Sequence, residues 1–348
     1  MVNARGRARL ALVLALAIFA VLAGGGCKKA SVSIESLPVT CQADARVFTL
    51  FAGLNAAGYD EERGAEMDPL RLQVREALAS ADPRVIERFG ALLRQGTPES
   101  ITQIVLKDIG DAPGFGYKEE HGIVADVSAD LKALWAAGAE TLYGDTTSAQ
   151  ADAAAVLDGP AAAAVRGTLG YCHEKASPFT SVFVIPNQLA SHGFSYRYLK
   201  PDKSAFVVVG PAGASQIPAL TREVFYLYFG ETLFHQLSID GELSRFDPVL
   251  EKAKAVKLIG DRYFSAQGFA EECLVRALVA RLVPPGDPAA AMDAEYNVGF
   301  ALTPAFYEAL AAYETSEKTL AESVPELLAA VNVTDLLNRM ETTPPTGQ

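Results

Sequence analysis

Histidine and cysteine are scarce in this chain of 348 residues, with four of each. Cys41, Cys172 and Cys273 lie beyond the N-terminal region, and their wide spacing does not resemble a zinc-binding knuckle. A chain of this length buries enough apolar surface to fold without disulfide bonds. We interpret these cysteines as small core residues, and one disulfide pair with one buried thiol stays open as the alternative.

Basic residues are outnumbered, with 30 Lys and Arg against 42 Asp and Glu, and the formal net charge is −12. Because such a surface repels a phosphate backbone, the composition excludes a nucleic-acid partner. A glycine-rich phosphate loop is also missing, since Gly114 and Gly116 have no continuation of that motif. Nucleotide binding therefore has no support in the sequence.

Long apolar runs are absent except at residues 10–23, which follow three arginines. This run is shorter than the roughly 20 residues of a membrane-spanning helix, and residues 1–26 have the layout of a signal peptide. Small residues then precede Cys27, an arrangement that resembles the bacterial lipobox and implies acylation of Cys27. We therefore expect a lipid-anchored protein of the bacterial cell envelope, facing the periplasm or the cell surface. Secretion is the alternative, because Gly24 stands where a lipobox usually has leucine.

The body of the chain is predicted to be α+β and mostly helical, because apolar residues recur at helical spacing over much of it. Three β-branched and aromatic runs within residues 177–211 predict a small sheet of about three strands before a buried central helix. One domain is expected over residues 39–340. The predicted segments are a tether (27–38), a helical N-terminal lobe (about 39–170), the sheet with two buried helices (about 177–283), C-terminal helices (about 303–340) and a disordered tail (341–348).

The central helix, predicted over residues 218–239, carries the side chains best suited to chemistry. On a continuous helix Glu231 and His235 lie on adjacent turns of one face, which they share with Val224 and Leu227. An acid and an imidazole would then both point into the core. The same four-residue spacing lets two side chains bind one metal ion in the H-E-x-x-H helices of zinc peptidases.

A second helical segment reads E-C-L-V-R-A at residues 272–277. This segment and the order of helices, three strands and a buried helix resemble the exported bacterial zincin-like (gluzincin-type) domains of unknown function. Members of that family carry H-E-x-x-H followed by an E-x-x-V-R-A-like segment. The resemblance implies a zincin-like fold in which Glu272 is the third metal ligand. Helical periodicity instead centres the apolar stripe of this segment on Glu271, which stays the alternative.

The sequence departs from the family motif at two of its defining positions. His235 matches the second histidine, Glu231 replaces the first, and Thr232 replaces the glutamate that serves as general base. If Glu231 is aligned with that glutamate instead, Gly230 and Phe234 stand where the histidines belong. The shifted alignment has no metal site.

These substitutions weigh against efficient catalysis. Thr232 cannot accept a proton at neutral pH, and loss of a general base costs roughly 10² to 10⁴ in rate. A Glu231, His235 and Glu272 site also has two anionic ligands, so it acidifies a metal-bound water less. Carboxylates nevertheless bind zinc, and the cofactor is expected to be either a divalent metal, zinc among the candidates, or none.

A purely structural arrangement is the alternative for the same residues. Glu231 and His235 could hydrogen-bond to each other, and Arg276 could pair with Glu272 or Glu231. The expected function is noncatalytic binding or scaffolding in the cell envelope. Its expected partners are the membrane, through the lipid on Cys27, and an envelope protein or peptide. A metal-dependent peptide hydrolase is the competing hypothesis.

Overall fold

The computed structural model describes residues 32–59, 68–117, 122–211, 216–230, 233–239 and 241–347. The predicted signal peptide and Cys27 lie outside these residues. A short strand opens the fold and is followed by a helical stretch that ends in one long helix. These elements are β1 (Val39–Cys41), α1 (Ala45–Ala56), α2 (Pro69–Leu78), α3 (Pro83–Gln95), α4 (Pro98–Asp108), α5 (Gly122–Leu134), a π-helical turn (Trp135–Ala139), α6 (Glu140–Asp145) and α7 (Thr147–Tyr171).

Capping side chains and prolines determine where three of these helices begin. Asp68, Asp82 and Thr97 accept hydrogen bonds from backbone N–H groups at the starts of α2, α3 and α4. Proline follows each of them at the first helical position, where its missing N–H costs nothing. The pattern of a polar cap followed by proline therefore sets these helix starts locally.

The sheet contains four strands in the order β1-β2-β4-β3. Strands β2 (Ser181–Pro186) and β4 (Ser204–Val209) are its central pair and run parallel to each other, and β1 is parallel to β2. Strand β3 (Ser195–Leu199) is antiparallel to β4 and forms one edge. The β-branched residues of β2 and β4 are buried from both sides, which is typical of a central parallel pair.

The remaining elements are helical. They are α8 (Gln216–Phe229), α9 (Leu233–Ile239), a 3₁₀ turn (Ser244–Phe246), α10 (Asp247–Ala253), α11 (Lys257–Arg262), α12 (Ala266–Leu282), α13 (Pro288–Asn297), α14 (Thr303–Tyr313), α15 (Leu320–Ala330) and α16 (Val333–Thr342). Helix α8 packs against β3, β4, α7 and α12, so it connects the sheet with the C-terminal helices.

Apolar side chains collect in two clusters. The N-terminal cluster joins α1 to α5 with one face of the sheet, which contributes Ile185, Phe206 and Val208. The C-terminal cluster joins the helices from α8 onward, with Phe225 and Phe269 among its fully buried members. Because α7 and α8 cover the other face of the sheet, the strands are enclosed by helices on both sides.

The predicted fold class is confirmed: the protein is α+β and mostly helical, with a small mixed sheet before the central helix. The predicted strand count was low, because β1 adds a fourth strand. The residues predicted as a disordered tail, 341–348, begin inside the last helix. Helix α16 extends to Thr342, and the backbone N–H of Gly347 donates to the carbonyl of Asn297 at 2.8 Å.

The single central helix predicted over residues 218–239 is wrong. Helix α8 ends at Phe229, Gly230 adopts a left-handed backbone with φ +62°, and α9 starts at Leu233. Glycine reaches that conformation without the steric cost that a side chain adds. The helix is therefore broken next to the residues that it was expected to align.

Residues 33–348 form one compact unit. Within its described part, no helix combines the length and the apolar composition that crossing a bilayer requires.

Candidate functional site

The structure describes only some of the residues that were predicted to bind a metal. Glu231 and Thr232 lie outside the described residues. His235 lies on α9 and is exposed, whereas Glu271 and Glu272 are half-buried neighbours on α12. In the described ranges no three His, Cys, Asp or Glu side chains are arranged to hold a metal ion. The complete Glu231, His235 and Glu272 set therefore stays a prediction.

The expectation that His235 faces the core is wrong, and the break at Gly230 explains why. Because α9 starts afresh after the break, the helical phase of α8 does not continue into it. Phe234 and Leu237 occupy the buried positions of α9, which leaves His235 on the solvent side. Apolar burial thus decides the orientation of this short helix.

Two side chains hold the Glu272 carboxylate. Arg276 neutralises its charge, and Tyr226 donates a hydrogen bond to it. Arg276, one turn later on α12, donates from Nε to Oε1 at 2.6 Å, which confirms the expected pairing of Arg276. The hydroxyl of Tyr226 on α8 donates to Oε2. Arg276 also donates to the carboxylate of Glu295 on α13 at 3.0 Å and stacks over Phe300. Glu272 is therefore part of a bridge that ties α8, α12 and α13 together.

A second buried acid extends this polar layer toward the sheet. Glu223 on α8 is 3% exposed, and its carboxylate accepts from Arg197 Nη1 at 2.7 Å and from Ser195 Oγ at 2.6 Å. Arg222 donates to Ser195 Oγ and lies 3.5 Å from Glu223. The guanidinium of Arg197 also stacks on the ring of Tyr226 at 3.9 Å. Two arginines thus share the Glu223 carboxylate beneath strand β3.

Glu271 has surroundings unlike those of Glu272. It makes no hydrogen bond or ion pair within the described ranges, and it lines a groove of about 670 Å³. Burial raises the pKa of Glu271 to about 7, while the positive charge of Arg197 opposes that rise. The other lining groups include Tyr196, Tyr198, Lys203, Tyr226, Gly230 and Gln267. The groove is polar and aromatic, and among the residues that the structure describes Glu271 is its one carboxylate.

One wall of this groove is the edge strand β3. The hydrogen bonds from Lys200 N to Ser204 O and from Gly210 N to Phe194 O fix which backbone groups of β3 point toward β4. Since antiparallel pairs alternate, the backbone groups of Ser195, Arg197 and Leu199 point away from β4. In the described part of the sheet, no strand pairs with this side of β3. The edge therefore offers unpaired donors and acceptors beside the groove.

The sequence indicated some of these residues and missed others. Arg276 and Glu271 were both singled out, the first by its place in the motif and the second by periodicity. Arg197, Glu223 and Tyr226 were missed, although an acid inside the apolar sequence of α8 was a usable signal. Their partners lie on other elements, which a local pattern does not reveal.

All three described cysteines are free thiols. Burial raises the pKa of Cys41 and of Cys273 to about 12, and it raises the pKa of Cys172 as well. The thiolate is the reactive form of cysteine, so none of these side chains is activated as a nucleophile. Cys172 and Cys273 are buried and fit the interpretation as core residues, whereas Cys41 is only partly buried.

Comparison with protein-family models, with curated proteins and with solved structures yields no match for this chain.

Proposed function

We propose that this protein is a noncatalytic binding protein of the bacterial cell envelope, anchored through a lipid on Cys27, that holds an extended peptide against strand β3. The observation that carries the proposal is the unpaired edge of β3 beside the groove of about 670 Å³. An extended peptide gains main-chain hydrogen bonds when it adds a strand to such an edge. The partner is a segment of an envelope protein.

The lining of the groove supports a peptide ligand. Backbone groups of Ser195, Arg197 and Leu199 match the spacing of every second residue in an added strand. Tyr198 and Tyr226 supply flat amphipathic surfaces, and Gln267 supplies amide donors and acceptors. The groove volume falls in the range of ligand sites, roughly 300 to 1,000 Å³. Glu271 would favour a basic side chain at one peptide position.

Three features support binding over hydrolysis. Thr232 stands at the general-base position of the resembled motif, and it lacks a group that accepts a proton at neutral pH. Both carboxylate oxygens of Glu272 are already occupied by Tyr226 and Arg276. His235 is exposed on α9. A metal at Glu272 would compete with those two contacts for the lone pairs of the carboxylate.

The binding proposal is tested with a random peptide library displayed on phage and the purified protein. Peptides that bind are resynthesised with N-methyl groups at alternate residues. We expect one alternating set to lose at least tenfold in affinity and the other to bind unchanged, because only one set bonds to the edge. Loss from both sets, or from neither, contradicts strand addition.

Two matched variants locate the bound peptide. Gln267→Trp fills the groove from α12 and is expected to weaken binding at least tenfold. Gln95→Trp makes the same change at an exposed position at the end of α3 and is expected to leave affinity unchanged. If both variants bind the peptide with equal affinity, the peptide does not bind in the groove.

The same peptides decide between binding and the competing hydrolase hypothesis. They are incubated with the protein and added Zn²⁺, Mn²⁺ or Co²⁺, and we expect them to remain intact. Cleavage that disappears in a Glu231→Ala, His235→Ala double variant would replace the binding proposal with metal-dependent hydrolysis.

The lipid anchor is tested separately in cells that express the full chain. A fatty-acid analogue is expected to label the protein and to fail to label Cys27→Ser. Labelling that persists in Cys27→Ser would contradict acylation at that residue.

A further inference from the structure

A second cavity, of about 350 Å³, lies beside Arg276 and is separate from the peptide groove. Its walls come from the first half of α8, the second half of α12, α13, and the loop between β2 and β3 at His192 and Gly193. Val279, Val283, Pro285 and Met292 make most of its surface apolar, and Arg222, Arg276 and Glu295 supply charged groups. An apolar cavity with a few convergent polar groups is the usual form of a small-molecule site. We call this cavity the α8–α12 cleft.

The charges around the α8–α12 cleft do not balance evenly. Arg276 lies between two carboxylates, with Glu272 at 2.6 Å and Glu295 at 3.0 Å. Among the described residues Arg222 has one acid within ion-pair distance, Glu223 at 3.5 Å, and it shares this acid with Arg197, which is closer at 2.7 Å. Positive charge is therefore left over at Arg222 and not at Arg276.

The remaining contact of Arg222 leaves this imbalance in place. Its Nη2 donates to the neutral hydroxyl of Ser195 at 2.6 Å. A guanidinium has five N–H donors and can hold a carboxylate through two of them. The Arg222 side chain is partly exposed, at 30%, and it lines the cleft. An anionic group in the cleft would supply the charge that Arg222 lacks.

We propose that the α8–α12 cleft binds a small amphipathic monocarboxylate. The carboxylate would pair with Arg222, and the hydrocarbon part would lie along Val279, Val283 and Met292. Burial of each methylene group favours binding, and the charge of Arg222 selects an acid over an alcohol or an amine of equal length. The residues that line the cleft are distinct from those that line the peptide groove.

The proposal is tested by isothermal titration of the protein with octanoate, 1-octanol and octylamine. Octanoate is expected to bind about tenfold more tightly than octanol, because a charge-assisted hydrogen bond adds to the same apolar contact. Octylamine is expected to bind more weakly than octanoate, since its ammonium group cannot pair with Arg222 and would have to compete with Arg276 for Glu295. Equal affinity for octanoate and octanol would overturn the proposal.

Two variants assign binding to the cleft. Ala280→Trp fills the cavity and is expected to abolish octanoate binding, whereas Arg222→Met is expected to reduce octanoate to the affinity of octanol. Arg84→Met, an exposed arginine on α3, is the control and should bind octanoate normally. Unchanged octanoate affinity in Ala280→Trp would overturn the proposal.

The remaining controls separate loss of binding from loss of folding and separate the cleft from the groove. Circular dichroism checks the folding of each variant, and if Arg222→Met does not fold, the wild-type selectivity and Ala280→Trp decide. Gln267→Trp should bind octanoate normally, because Gln267 lines the groove and not the cleft. Failure of peptide binding and failure of octanoate binding are thus distinguishable.

Discussion

Glu271 and Glu272 are consecutive residues of α12, yet they lie in opposite electrostatic surroundings. Glu272 accepts hydrogen bonds from Tyr226 and Arg276 and belongs to the bridge between α8, α12 and α13. Glu271 has no hydrogen-bonding partner in the described ranges, and its burial raises its pKa to about 7. One carboxylate therefore stabilises the fold, and its neighbour remains available to a ligand.

The comparison shows that the residue at a motif position is not always the residue that is available to a ligand. The resemblance to zincin-like domains selects Glu272, the acid that the protein already uses internally. Helical periodicity selects Glu271, which faces the groove. A desolvated carboxylate without a partner costs stability, and such groups are common where a ligand supplies the missing contact.

The largest effect expected from this comparison is the destabilisation caused by Glu272→Gln. The change removes the negative charge that Arg276 and Tyr226 share. Arg276 keeps Glu295, so the expected cost is that of hydrogen bonds to a charged group, about 3 kcal/mol for the two together. Urea unfolding followed by circular dichroism measures it. Glu271→Gln is the matched control and should not destabilise the protein. Equal losses in both variants would show that the two acids share one role.

A smaller effect, of about 2.5 kcal/mol between pH 5 and pH 8, is expected in the pH dependence of Glu271→Gln. Because the folded state raises the pKa of Glu271 from 4.5 to about 7, the folded protein binds this proton more tightly than the unfolded chain. Wild-type stability relative to the variant is therefore highest below pH 4.5 and falls as the pH rises to about 7.

Urea unfolding of wild type and Glu271→Gln between pH 5 and pH 8 checks this sign. The variant should be the more stable protein at pH 8, and the difference should shrink toward pH 5. Arg197 and Glu272 interact with Glu271 and are present in both proteins, so their own contributions largely cancel. A difference that stays constant with pH would mean that Glu271 is solvated in the folded state.

Much of the fold was predictable because its signals are local. The β-branched runs of β2 and β4 and the apolar spacing of α12 determine these elements within a few residues. Strand β1 was not predictable in this way. It has three residues, and its parallel partner β2 begins at Ser181, far along the chain. Its identity as a strand depends on that distant pairing.

The candidate site was less predictable than the fold. Helix α8 and the residues after it are apolar on nearly every side, so no amphipathic phase reveals that the helix stops at Phe229. The prediction that His235 faces the core depended on an unbroken helix, and it is wrong because the helix is broken. The partners of Glu272 and Glu223 come from other helices and from β3, and only tertiary packing brings them together.

Gly230→Ala tests the break that separates the prediction from the structure, and its expected effect is the smallest, about 1 kcal/mol. Gly230 has φ +62°, and no atom of the described residues lies within 4 Å of an added Cβ, so the expected cost comes from the backbone conformation. Gly167→Ala is the matched control, because Gly167 lies at an exposed position inside α7 with equally open surroundings. Alanine is the better helix former, so Gly167→Ala should stabilise the protein by about 0.5 to 1 kcal/mol. Urea unfolding of both variants should give effects of opposite sign. Stabilisation by Gly230→Ala would mean that α8 continues into α9. Glu231 and His235 would then lie on one helical face, and the metal site that their spacing predicts would be possible again.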